Sequence, residues 1–144
     1  MRKRAFTLLE TIIVLSLTVI IITFSFPAIT RSQQVAAERK FWNSFCQEWQ
    51  AAQVRSKVNH TATTVSFDHI DYQIEFAWID GNQSEKKRID IPETLLVREF
   101  TNFKMHENGY TKPMTQKFQS SINHKTYLMR IQLAWGGYHI ETKE

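Results

Sequence analysis

Arg2-Lys3-Arg4-Ala5-Phe6-Thr7-Leu8-Leu9-Glu10 stands at the start of the chain, and an apolar run from Thr11 to Ile29 follows it. Adjacent cations precede a long hydrophobic segment whose single charge is Glu10. Phe6 to Ile29 is roughly two dozen residues, and a helix needs about 20 to cross a hydrocarbon core. Cations before such a segment hold the N-terminus in the cytoplasm and send the chain beyond Ile29 outside. Glu10 is the residue that does not fit. A carboxylate in the apolar layer costs about 2.5–3.5 kcal/mol at its centre and less towards its edge, so it needs a partner.

Beyond Ile29 the composition changes but helix-compatible residues continue. Ser32 to Lys40 contains neither Gly nor Pro. Val35, Trp42, Phe45, Trp49 and Ala52 recur at helical spacing and share one face, with Gln34, Glu38, Gln47 and Arg55 on the wetter sides. The helix is expected to reach about Lys57, a rod of about 75–80 Å from Phe6. Pro27 removes one backbone hydrogen bond and predicts a bend. The rest reads as β. Thr63–Phe67 alternates, and so does Tyr72–Ile79, with Tyr72, Ile74, Phe76 and Trp78 on one face. Asp80-Gly81-Asn82 predicts a turn, and Arg88–Ile91 a returning strand stopped by Pro92. Leu95–Phe100 predicts a strand, Thr101–Thr115 a loop, and Lys117–Ser120 a weak strand. Tyr127, Met129, Ile131, Leu133 and Trp135 alternate up to a two-residue turn at Gly136-Gly137, and Tyr138–Glu141 pairs back. The expected class is α+β: a long N-terminal helix, its inner half transmembrane and its outer half packed on a small antiparallel sheet.

Charge and cysteine narrow the function. The formal charge of +4 suggests nucleic-acid affinity, but Arg2, Lys3 and Arg4 supply three of those charges and leave about +1 without them. The basicity is mostly a topology signal. Cys46 is the only cysteine, so no intrachain disulfide can form. A small buried side chain is the expected role of Cys46. No phosphate loop, nucleophile elbow or zinc-type cysteine pair occurs. The histidines at 60, 69, 106, 124 and 139 are scattered, and a turn explains Asp68, His69 and Asp71 better than a metal does. No enzyme activity, cofactor or metal is expected. Lys86-Lys87-Arg88 is a candidate nucleic-acid contact, weighed against a solvated hairpin end or a guarded sheet edge. Trp42, Trp49, Trp78 and Trp135 all fall on expected core faces rather than on a base-stacking surface.

Ala5-Phe6-Thr7-Leu8-Leu9-Glu10 resembles the processing site of type IV pilins and pseudopilins. The resemblance covers the first 30 residues or so and departs from the pattern at one place, Ala5, where Gly is usual. It implies that residues 1–5 form a leader cut by a prepilin peptidase between Ala5 and Phe6, that Phe6 is then N-methylated, and that Glu10 is the family's retained acid. Pro27 matches the helix-bending proline of many pilins. It further implies a transmembrane or filament-core helix over residues 6–29 and an exported α+β domain over residues 30–144. Cleavage exposes an amine at Phe6, and in low dielectric the Glu10 carboxylate of one subunit pairs strongly with that amine on another. An uncleaved signal anchor, or a secretory signal cut after Thr23-Phe24-Ser25, explains Glu10 less well. The small size and absent disulfide most resemble the minor pilins of Gram-positive competence pili. The implied partners are the other major and minor competence pilins, a membrane platform protein and an assembly ATPase, with DNA as cargo and direct DNA contact left open. The alternatives are a pseudopilin of a type II-like protein secretion system, or a membrane-tethered module binding DNA or cell wall.

Overall fold

The computed structural model describes residues 8–132 and 137–143, and for residues 24–29 the backbone alone. Helix α1 spans Leu8–Val58, 51 residues, or about 75 Å. It runs through position 27 as one helix; the Pro27 side chain lies outside the described residues. α1 ends where His60 takes a left-handed φ of 50° and the Arg55 carbonyl accepts from the amides of Asn59 (2.9 Å) and Thr61 (3.3 Å). A left-handed exit of this kind satisfies carbonyls that the last turn leaves open.

Eight strands follow: β1 Thr63–Asp68, β2 Gln73–Asp80, β3 Gln83–Asp90, β4 Leu95–Glu99, β5 Phe103–Met105, β6 Met114–Ser120, β7 Thr126–Ile131 and β8 Tyr138–Lys143. They form two antiparallel sheets, ordered β3-β2-β1-β5 and β4-β6-β7-β8. The α+β class and antiparallel pairing match expectation; one small sheet does not, because the strands divide into two. The chain crosses from the first sheet to the second at β4, returns for β5 and leaves again for β6. Tyr72 ties the sheets together. Its hydroxyl donates to the Leu95 carbonyl (3.2 Å) and accepts from the Val97 amide (3.0 Å).

The core lies between the outer half of α1 and both sheets. Phe41, Phe45, Trp49 and Ala52 bury against Val65, Ile74, Phe76, Phe103, Phe118 and Met129. Edge-to-face and tilted rings link Phe45 to Phe76, Trp49 to Phe103 and Phe41 to Phe118. Such pairs add to the gain from area burial alone. The helical stripe differs from the expected one. Phe41, left out of it, is buried, while Val35 and Trp42 are half-buried at its flank. Glu38, expected on a wetter side, is 7% exposed. Its carboxylate accepts from the Ser120 hydroxyl at 2.8 Å, across 82 residues of sequence. Arg55 is also drawn in: it bonds Glu48 at 2.7 Å and lies 3.7 Å from the Trp78 ring centroid.

The strands bring three further corrections. β3 begins at Gln83 rather than Arg88, so polar Gln83–Lys87 is strand. The expected loop over residues 101–115 contains β5, which pairs with β1, and β6 already starts at Met114. In the last hairpin the ladder closes at Ile131↔Tyr138, and the Gln132 amide donates to the Gly137 carbonyl at 3.0 Å. That register is not the one a two-residue turn at Gly136-Gly137 would give, since such a turn would pair residue 135 with Tyr138. Leu133, Trp135 and Gly136 lie outside the described residues.

Candidate assembly surface

The inner half of α1 has an unusual surface. Every described side chain from Leu8 to Thr23 is exposed, yet apart from Glu10 the stretch is built from Leu, Ile, Val, Ser and Thr. Its hydroxyls are turned back on the helix. Thr11 donates to the Leu8 carbonyl, Ser16 to Ile12, Thr18 to Val14 and Thr23 to Val19, each at 2.8 Å. A hydroxyl so engaged has less need of water, so beyond Glu10 the cylinder presents mainly hydrocarbon. Helices that are apolar all round are buried in a large core or in lipid. Among the described residues no helix is long and apolar enough to cross a membrane. The described apolar side chains end at Thr23, short of the ~20 that a crossing needs. Glu10 is the one charged side chain of this stretch and is exposed. Ala5 and Phe6, the processing positions, lie outside the described residues.

The basic run does not form one patch. β3 pairs with β2 so that Glu75 faces Arg88, Phe76 faces Lys87 and Ala77 faces Lys86. Successive residues of a strand point to opposite faces. Lys86 and Arg88 therefore share the outer face, where both reach Glu75 at 3.5 and 2.8 Å. Lys87 stands on the inner face beside α1. The hydrogen bond from Arg88 holds the Glu75 carboxyl below its ordinary range, and Glu75 in turn raises the Arg88 guanidinium.

The Asp68 carboxylate accepts from the amides of Ile70 (2.8 Å) and Asp71 (3.3 Å), which lowers its pKa and makes the turn. Among the described residues no group of His, Cys, Asp and Glu could hold a metal ion. Cys46 is half-buried rather than buried and takes a contact from Gln50 at 3.7 Å. Burial, and then a hydrogen bond with Cys46, push the Tyr138 hydroxyl well above its usual range. Glu38 is one polar residue whose burial the sequence did not suggest. Stepping back three positions from Phe41, along the row Phe41–Phe45–Trp49, lands on it. No family model, curated protein or solved structure matches the chain.

Proposed function

We propose that the chain is a minor pilin or pseudopilin, a structural subunit and not an enzyme, of the ComGD type that serves competence pili in natural transformation. The observation that carries this reading is the inner half of α1, an exposed hydrocarbon cylinder with its hydroxyls bonded inward. Such a surface is stable only against lipid or against other apolar helices. A pilin meets both, first as a single-pass membrane protein and then inside a filament. In this reading residues 6–29 cross the membrane with the N-terminus cytoplasmic, and the domain from residue 30 lies outside, at the cell surface once assembled.

Prepilin peptidase cuts between Ala5 and Phe6, and Phe6 is methylated. Assembly draws the helix out of lipid into a bundle of neighbours, driven at its base by a platform protein and an ATPase. The Glu10 carboxylate meets the Phe6 amine of an adjacent pilin and sets the stagger between subunits, because a wrong register leaves a charge unpaired in low dielectric. Extension and retraction of the filament bring DNA to the cell. Glu10→Val tests the assignment. The domain should fold as before, while filament incorporation and transformation fall. Undiminished transformation would remove Glu10 from the mechanism.

A further inference from the structure

A groove of about 460 Å³ runs between α1 and β3, lined by Lys40, Phe41 and Ser44 on the helix and by Lys87, Ile89 and Pro92 opposite. Its floor is apolar, with Phe41 and Ile89 only 2% and 6% exposed. β3 ends its sheet and has a strand neighbour on one side only. An edge strand presents a row of amides and carbonyls ready to pair with another chain. The charges along the rim differ in how they are engaged. Arg88 bonds Glu75, Glu48 bonds Arg55, and Asp90 accepts from Gln73 at 2.6 Å. Lys40 and Lys87 are exposed and make no ion pair among the described residues.

We infer that this groove receives an extended acidic segment of another polypeptide, added to β3 as a further strand. Its acidic side chains meet Lys40 and Lys87, and its small apolar side chains rest on Phe41 and Ile89. A lysine on the inner face of an edge strand deters an apolar strand from pairing there. The same lysine admits a strand that carries the opposite charge, which is how charge sets partner choice. A phosphodiester chain would engage the ammoniums but would satisfy neither the apolar floor nor the carbonyls of the strand edge. The groove belongs to the outer domain and does not depend on leader processing or on Glu10.

The test uses the full chain in detergent and a fluorescent peptide of repeating Glu-Ser-Val-Ser, which sets Glu and Val in turn along one face of a strand, read by anisotropy. Saturable binding that weakens with added salt is expected. N-methylation of alternate peptide amides should abolish it, since strand addition needs those donors. The double variant K40E/K87E should lose about tenfold in affinity. The milder K40Q/K87Q should lose less, in the same direction, and circular dichroism should report an unchanged fold for both. A peptide with Lys in place of Glu should not bind. No saturable binding, undiminished binding by the methylated peptide or by K40E/K87E, or displacement of the peptide by an oligonucleotide of equal charge would each overturn the assignment.

Discussion

Glu38 sets the docking of α1 on the second sheet. Its carboxylate and the Ser120 hydroxyl are both buried and meet at 2.8 Å, and the same hydroxyl oxygen accepts from the Ile122 amide at 3.2 Å. Removing one partner of a buried pair leaves the other unsatisfied, at a cost of about 1–3 kcal/mol. Ser120→Ala should therefore lower the urea midpoint by a corresponding amount, with an unchanged urea slope. An unaltered midpoint would mean that water reaches Glu38. Glu75 and Asp68 contribute to acid sensitivity. Both carboxyls are depressed below their ordinary 4.5 and 3.8, by Arg88 and by backbone amides respectively. A depressed group stabilises the fold fully above its unfolded pKa, and that contribution is lost as pH falls through the lower folded value. Stability should thus decline below about pH 4.5. In Glu75→Gln the decline should be shallower, as urea midpoints measured down the acid range will show. An identical acid slope in the variant would exclude Glu75 as a contributor.

At the scale of elements, α1 is two helices in physical terms. Its outer half holds the core, and none of the described inner side chains, Leu8 to Thr23, is buried in it. Trp49→Ala should cost the domain about 3–5 kcal/mol by leaving a cavity. Leu15→Ala, whose side chain is 66% exposed, should leave domain stability unchanged in denaturant titrations. Equal losses from both would show that the inner half folds back onto the domain. The helix was legible because Phe45, Trp49 and Ala52 repeat with its period. Its stripe was misplaced by one residue pair because Glu38 looked like a surface charge. The strands were legible where one face is buried, as in Ile74 and Phe76. β3 was cut short because an edge strand with exposed Gln83–Arg88 has no apolar alternation to read. β5 was missed because its three residues sit in a polar stretch and gain their strand form from pairing with β1.

At the scale of the molecule, the division into two sheets was not legible at all. Antiparallel strands alternate alike whichever sheet they join, and the crossings at β4 and β5 rest on contacts far apart in sequence, such as Tyr72 with Leu95 and Val97. One core nevertheless serves both sheets and the helix, so the outer domain should unfold as a single cooperative unit, with tryptophan fluorescence and circular dichroism giving coincident transitions. Separate transitions would mean that the sheets are independent. In the proposed function Arg2 to Arg4, the apolar cylinder and Glu10 act at a different level of organisation, one that involves other chains. Their joint meaning rests on a free amine at residue 6. Intact-mass and N-terminal fragment spectra of the protein from cells that hold the prepilin peptidase read this directly. The proposed function requires a chain that begins at methylated Phe6, and a chain that still carries Met1 to Ala5 contradicts it.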